Sequence, residues 1–130
     1  MNRRAKFTLS VIAGAFGAAL ALAPAAPAAV AVPADGYDNC KRGYICFFSE
    51  KDGEGQKCQW SANATDARSM CSWMKSGTNT RSVYNRTGGR FHYYHRANYV
   101  DRIGSTTAGD KGNLAGTYTI GSLCTGSCPS

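Results

Sequence analysis

Aliphatic side chains are scarce in this sequence once its first 31 residues are set aside. Only two leucines, Leu114 and Leu123, remain in that part, and it contains no apolar run of the roughly 20 residues that a membrane-spanning helix needs. The Gly-x-Ser-x-Gly motif of serine hydrolases and the His-Glu-x-x-His motif of zinc peptidases are both missing. We therefore expect no large aliphatic core, no enzymatic activity and no cofactor.

The first 31 residues have the order of properties that is typical of a secretory signal peptide. Three basic residues precede an uncharged stretch over 7–22, and small residues fill 23–31. Signal peptidase recognises this order, and the Ala-x-Ala choices place cleavage after Ala28, Ala29 or Ala31. The uncharged stretch of 16 residues is shorter than a membrane-spanning helix, which favours cleavage over anchoring.

The remainder is long enough for one domain. We expect a signal peptide over 1–29, a short linker over 30–39 and a single extracellular, monomeric domain over 40–130, without membrane association after cleavage. Cleavage removes three of the 15 basic residues and leaves 12 against 8 acidic ones, a net charge of +4. A mildly basic surface attracts acidic partners without specifying one.

All six cysteines lie in the expected mature chain. An even number of cysteines in a short exported protein is typical of a disulfide framework. Structural zinc sites place Cys and His ligands at short, matched spacings, whereas the gaps here are five, eleven, twelve, 52 and three residues. Six cysteines allow fifteen pairings, and their spacing alone selects none of them. The six are Cys40, Cys46, Cys58, Cys71, Cys124 and Cys128.

Short strand-like runs separated by glycine occupy the mature chain. Runs rich in β-branched and aromatic residues cover 44–48, 81–84, 90–94 and 117–123, with aromatic side chains in place of aliphatic ones. Short strands joined by Gly-rich turns are typical of a β-sandwich or barrel. We interpret 87–90 as a hairpin turn between two of these strands.

The chain repeats a pattern after 46 residues. The segment 47–55 aligns with 93–101, since each begins with an aromatic doublet and continues with polar residues into a turn. A strand that contains a serine follows each segment, at Ser82 and at Ser122. The repeat predicts two similar supersecondary units packed into one domain.

These two segments resemble the Greek-key motif of the β/γ-crystallins. That motif runs aromatic, four residues, aromatic, one residue, glycine, with a later serine that bonds back to the folded turn. Phe48 and Gly55 match it in the first segment, and Tyr94 and Tyr99 match it in the second. The first segment lacks the second aromatic residue, and Asp101 replaces the glycine in the second. Because aspartate tolerates a positive φ better than most residues, we expect the fold to survive that change.

The order of motifs is similar to that of the secreted bacterial proteins of peptidase inhibitor family I36. The resemblance rests on 40–48, 82–88 and 112–114, and it extends over nearly all of 40–124. It implies an all-β, disulfide-stapled, β/γ-crystallin-like sandwich of two Greek keys and an extracellular protein. It also implies inhibition of secreted metallopeptidases, which is the activity of the founding member.

With this resemblance we expect the six cysteines to pair locally. The family suggests a bond from Cys40 to Cys46. A Cys58–Cys71 bond would staple the segment that makes the first unit longer than the second, and a Cys124–Cys128 bond would close the tail. The founding inhibitor braces its reactive loop with a close cysteine pair in the second half of its domain. This chain has only the tail pair there, so no reactive-site residue is carried across.

The candidate peptidase-contact loop is the segment 59–70, which the Cys58–Cys71 bond would tether at both ends. It is polar and turn-rich, and Arg68 and Met70 are its candidates for filling a specificity pocket. A braced loop loses little conformational entropy on docking. The expected partner is a secreted peptidase.

The alternative is a non-catalytic module that binds cell wall or another anionic polymer. Aromatic and basic side chains alternate in one region, as they do on surfaces that bind polyanions. Nucleic acid is not an expected partner. The candidate face comprises Tyr93, Tyr94, Arg96, Tyr99 and Arg102.

We expect no metal site. Calcium prefers six to eight oxygen ligands, usually with carboxylates. The stretch 77–82 has Arg81 where the ligating hydroxyl belongs, and 117–122 has no carboxylate. His92 and His95 are three residues apart on a strand, so they point to opposite faces.

Overall fold

The computed structural model describes residues 35–130, so the expected signal peptide and the start of the linker lie outside the described residues. Short strands dominate this part of the chain, and none of its helices is long and apolar enough to cross a bilayer. A four-residue helix, α1, spans Ser72–Lys75, and short 3-10 segments span Gly36–Asn39, Lys51–Gly53 and Arg68–Met70. The strands are β1 (Ile45–Phe48), β2 (Lys57–Trp60), β3 (Ser82–Asn85), β4 (Phe91–Arg96), β5 (Val100–Thr106), β6 (Lys111–Asn113) and β7 (Ser122–Thr125).

Two antiparallel sheets contain these strands. The first sheet has the order β2-β1-β3-β6, and the second has the order β5-β4-β7. The two halves of the chain exchange strand segments, because β6 pairs with β3 while Ala64 bridges to Leu123 of β7. This exchange joins the two units into one domain. The all-β sandwich that the sequence predicts is confirmed.

Aromatic residues fill the space between the sheets. Phe47 of β1 meets Tyr93 of β4 edge to face, with 5.5 Å between the ring centroids, and it also contacts Trp60. Such a pair contributes about 0.5–1.5 kcal/mol beyond the burial of its area. The core therefore relies on rings where an ordinary domain would use leucine. Its other buried members are Ile45, Ala64, Ala67, Cys71, Trp73, Met74, Val83, Phe91, Ile120 and Leu123.

The 46-residue repeat is visible in the backbone. In the first unit Asp52 and Gly55 have φ values of 58° and 80°, and in the second unit Asn98 and Asp101 have 61° and 60°. All four lie in the left-handed region, where glycine, asparagine and aspartate are the residues best tolerated. Asp101 thus adopts the conformation of the glycine that it replaces. Tyr99, two residues earlier, also has a left-handed backbone conformation, with a φ of 62°.

One serine fastens each turn, as the repeat predicts. The hydroxyl of Ser82 accepts a hydrogen bond from the amide of Gly53 (2.9 Å) and donates to the carbonyl of Glu50 (2.7 Å). The hydroxyl of Ser122 accepts from the amide of Tyr99 (2.9 Å) and donates to the carbonyl of Arg96 (2.7 Å). Each hydroxyl therefore bonds to both a donor and an acceptor of its turn and fastens the turn to a strand.

The interpretation of 87–90 as a hairpin turn is wrong. The strands on either side, β3 and β4, belong to different sheets, so this segment crosses between the layers. The side chain of Asn85 organises the crossing by donating to the carbonyls of Gly89 (2.9 Å) and Thr106 (2.8 Å). The run 117–123 is also shorter as a strand than predicted, because only its last two residues belong to β7.

The segments at the two ends of the described chain cover part of the outer face of each sheet. On the first sheet Tyr37 packs edge to face on Phe48, with 5.7 Å between centroids. On the second sheet Tyr94 donates its hydroxyl hydrogen to the carbonyl of Pro129 in the tail. A disulfide ties each covering segment to a neighbouring strand, Cys40–Cys46 in one case and Cys124–Cys128 in the other.

Candidate functional site

The three disulfides have the local pairing that we expected, and no cysteine of the described chain is free. The Cys58–Cys71 bond links β2 to the residue that precedes α1, with 5.9 Å between the two Cα atoms. The first two residues of the candidate loop, Gln59 and Trp60, belong to β2. The part of the loop outside β2 is therefore 61–70, which we call the bridging segment.

Backbone hydrogen bonds fix the bridging segment to β7. The amide of Ala64 donates to the carbonyl of Leu123 (3.0 Å), and the amide of Leu123 donates back to Ala64 (2.9 Å). The amide of Ala67 donates to the carbonyl of Gly121 (2.8 Å). Both alanine side chains are buried. These contacts, with the disulfide, hold the backbone of the segment in one conformation.

The structure places Arg68 against the second unit. Its Nη2 donates to the carbonyl of His95 (2.5 Å), while its Nε is buried without a hydrogen-bond partner. The nearby turn of that unit is tied to the same segment, since the amide of Asn98 donates to the carbonyl of Thr65 (2.8 Å). The Arg68 guanidinium thus connects the bridging segment to β4 and is not free to enter a pocket.

Met70 has a different environment. Its side chain is 66% exposed, the largest exposure among the large hydrophobic residues of the described chain, and Val100 follows at 39%. Its backbone is fixed, because its amide donates to the carbonyl of Ala67 (3.1 Å) and the next residue is the bonded Cys71. Met70 is therefore an apolar side chain presented to solvent from a rigid backbone.

The expectation that Tyr93 and Tyr94 form an exposed polymer-binding face is wrong. Tyr93 is 3% exposed, lies in the core and shares a hydrogen bond with the hydroxyl of Thr106 (3.0 Å). Tyr94 is fully buried and packs on Tyr99, with 5.6 Å between centroids. Tyr94 follows the alternation of β4 and points away from the core, where Tyr99 and the tail cover it.

The basic members of that face have separate surroundings. The Nε of Arg96 lies 2.9 Å from a carboxylate oxygen of Asp101, and both side chains are exposed. Arg102 is exposed and pairs in register with Tyr94, so it lies on the outer face of the second sheet.

Two further residues, Arg90 and His92, lie on the same outer face but were not included in the candidate face. The alternation of β4 around buried Phe91 was the signal that could have found them. His92 pairs in register with Ser105 on one side and Cys124 on the other. Burial, followed by the positive charges of Arg102 and Arg90, holds the pKa of His92 below its usual value.

The stretches considered for calcium have other contacts. Ser82 is buried and occupied with the turn of the first unit, and Arg81 beside it is exposed. Among residues 35–130, no three His, Cys, Asp or Glu side chains gather closely enough to hold a metal ion, and no enclosed pocket is found. The absence of a calcium site stays a prediction.

Comparison with known proteins identifies the class of the fold. A structure solved in work on the evolution of the eye-lens βγ-crystallin domain fold matches with a TM-score of 0.55 and 15% identity, covering 70% of this chain and 92% of that chain. A βγ-crystallin from Ciona intestinalis gives a TM-score of 0.49 and 15% identity, covering 65% of this chain and all of its own. The domain has the βγ-crystallin fold. A search of curated proteins found no match.

The family is also defined. The model of peptidase inhibitor family I36 matches residues 33–106, more than half of the chain. The chain therefore belongs to this family, as its motifs predict. Family membership indicates a peptidase inhibitor role and a peptidase as partner.

Proposed function

We propose that this protein is a secreted inhibitor of an extracellular metallopeptidase, without catalytic activity of its own, and that it docks through the bridging segment 61–70. Family membership supports the inhibitory role. Three disulfides suit an oxidising compartment outside the cytosol. The observation that supports this segment most directly is the exposed side chain of Met70 on a backbone that β7 and a disulfide hold in place.

Rigidity of this kind favours tight inhibition for a physical reason. Ordering a loop on binding costs conformational entropy, and a loop that is already fixed avoids most of that cost. Interfaces of peptidase inhibitors change little between the free and bound states. The thioether of Met70 adapts its shape to apolar pockets, so it suits a hydrophobic specificity pocket.

In this proposal Arg68 has a positioning role. Its bond to the carbonyl of His95 ties the segment to β4, two residues before the side chain that makes contact. Replacing Arg68 would loosen the presentation of Met70 rather than remove a contact.

The test is inhibition by the purified mature protein, measured against a panel of metallo- and serine peptidases. We expect stoichiometric inhibition of at least one metallopeptidase. Met70→Ala should raise the inhibition constant about tenfold or more, as loss of an anchoring contact does. Val100→Ala is the matched control, because Val100 is the other large exposed hydrophobic residue and lies on β5. We expect it to change the constant by less than about twofold.

Two results would overturn the proposal. Absence of inhibition of every peptidase at micromolar protein would remove the function itself. An effect of Val100→Ala equal to that of Met70→Ala would move the contact surface away from the bridging segment. A Cys58→Ser, Cys71→Ser variant distinguishes the contribution of the braced backbone from that of the Met70 side chain. It keeps Met70 but removes the brace, so we expect it to weaken inhibition.

A further inference from the structure

Positive charge in the mature chain is concentrated in one stretch. Residues 81–102 contain five arginines and one aspartate, a net charge of +4. The other described residues contain seven basic and seven acidic side chains, which balance. The whole excess charge of residues 35–130 therefore comes from this stretch, and most of the stretch belongs to the second sheet and the crossing that leads to it.

The folded structure divides these arginines by their partners. Asp101 neutralises Arg96 at 2.9 Å, and the Nη1 of Arg86 donates to the carbonyl of Cys40 (2.8 Å). Arg90 and Arg102 have no carboxylate within ion-pairing distance among the described residues, yet both lie close enough to His92 to depress its pKa. These two arginines are the uncompensated charges on the outer face of the second sheet.

Arg90 is fixed in position. Its Nη1 donates to the hydroxyl of Ser105 on β5 (2.8 Å), and its carbonyl accepts from the hydroxyl of Thr125 on β7 (2.8 Å). Ser105 is the residue that pairs in register with His92, so the guanidinium is held in the row of the imidazole. A guanidinium with one donor occupied still offers several N–H groups to a ligand.

The imidazole of His92 completes the arrangement. Its Nδ1 is buried and has no hydrogen-bond partner. A buried N–H without an acceptor is costly, so the neutral ring carries its proton on Nε2. The ring is partly exposed and therefore presents this donor between two cations. Neither of its strand neighbours, Ser105 and Cys124, is acidic.

We propose that Arg90, His92 and Arg102 form a binding site for a tetrahedral oxyanion, the phosphate or sulfate ester of an extracellular polymer. Guanidinium groups recognise such oxyanions through charge-assisted hydrogen bonds in a fixed fork geometry. An anion at this position would relieve the repulsion between the two arginines and accept the free N–H donors of all three groups. This site lies outside the bridging segment and goes beyond peptidase inhibition.

Binding is tested with two polymers and two double variants of the mature protein. The probes are heparin, which carries sulfate esters, and poly(glycerol phosphate), which carries phosphate esters. We expect an Arg90→Gln, Arg102→Gln variant to bind the preferred polymer about fivefold more weakly for each arginine lost. The salt dependence of binding should fall by about one unit of slope per lost contact. An Arg42→Gln, Arg81→Gln variant, which has the same net charge and loses two exposed arginines elsewhere, is the control.

The chain has two histidines, so proton NMR provides a second readout. Inorganic sulfate and phosphate should raise the pKa of His92, since an anion offsets the nearby arginines. His95 is the internal reference, and His92→Gln assigns the signals. The rise should vanish in the Arg90→Gln, Arg102→Gln variant. The polymer that binds more tightly at equal charge concentration identifies the ester.

Several outcomes would overturn this site. These are equal losses in the two double variants, an unchanged pKa of His92 on adding either anion, or preference for a single-stranded oligonucleotide over both polymers. Peptidase inhibition should persist in the Arg90→Gln, Arg102→Gln variant, and polymer binding should persist in Met70→Ala. Failure of one proposal is therefore distinguishable from failure of the other.

Discussion

Removal of the Ser82 hydroxyl tests the physical basis of the repeat. Ser82 is fully buried, and its hydroxyl is the partner of the Gly53 amide and the Glu50 carbonyl. Ser82→Ala leaves that amide and carbonyl without this partner. An unsatisfied buried group costs about 1–3 kcal/mol, so we expect the free energy of unfolding to fall by about 3 kcal/mol.

The equivalent Ser122→Ala change should cost less. Its hydroxyl makes the same two bonds, but its bond to the amide of Tyr99 is only partly buried, whereas the bond from Ser82 to Gly53 is buried. Water can replace part of the loss at the second turn. For a domain of about 100 residues, 1 kcal/mol lowers Tm by about 4–8 °C, so we expect a fall of roughly 12–24 °C for Ser82→Ala and about half of that for Ser122→Ala.

Thermal unfolding of the mature protein under non-reducing conditions, followed by near-UV circular dichroism, measures both changes. Ser72→Ala is the control, because Ser72 is exposed at the start of α1. A Ser82→Ala variant that melts within about 2 °C of the control would refute the reasoning. Loss of two hydrogen bonds to a buried hydroxyl should lower Tm by more than that. A larger effect at Ser122 than at Ser82 would refute the argument from burial.

Two further predictions concern backbone strain and pH. Gly55 and Asp101 occupy equivalent positions in the two turns. A Cβ atom at Gly55 would clash with the Ser49 hydroxyl, so Gly55→Asp should lower the free energy of unfolding by about 2 kcal/mol or more, measured by urea unfolding. The free energy of unfolding of Asp101→Gly should stay within about 1 kcal/mol of that of the natural chain, because glycine relieves left-handed strain and only an exposed ion pair is lost. Similar stabilities of Gly55→Asp and Asp101→Gly would contradict this reasoning. The lowered pKa of His92 means that the unfolded state binds more protons, so stability should rise with pH up to about 6.5 and be lost on acidification below it. His92→Gln should flatten urea-unfolding stabilities between pH 5 and 7.5, and an unchanged slope would count against the mechanism.

Local chemistry made part of this structure predictable. The aromatic doublets and the polar turns recur after 46 residues, a serine follows each of them, and each has a local backbone requirement that side-chain type reveals. Asp101 is an example, because aspartate tolerates a positive φ better than most residues and the structure shows a positive φ at this position. The local disulfides were expected only with the family resemblance, because cysteine spacing alone selects none of the fifteen pairings.

Features that depend on distant pairing could not be predicted in this way. The strands β2 and β6 contain only one β-branched or aromatic residue between them, and pairing within the sheet rather than composition makes them strands. The bulge between Tyr93 and Tyr94 shifts the pairing of β4 with β5 by one residue, and no sequence signal announces it. The cover over Tyr94 comes from Pro129, 35 residues away.

The two proposed surfaces share one structural support, the edge strand β7. The bridging segment bonds to the free edge of β7 through Leu123, while His92 pairs in register with Cys124 on the other edge. Leu123 is itself fully buried in the core. An inhibitor binds tightly when its contact side chain keeps the same position in the free and bound states. Hydrogen bonds from the bridging segment to the core strand β7 would hold Met70 in this way. A basic face on the same sheet would then hold the inhibitor on an anionic matrix, which would raise its local concentration without using the residues that contact the peptidase.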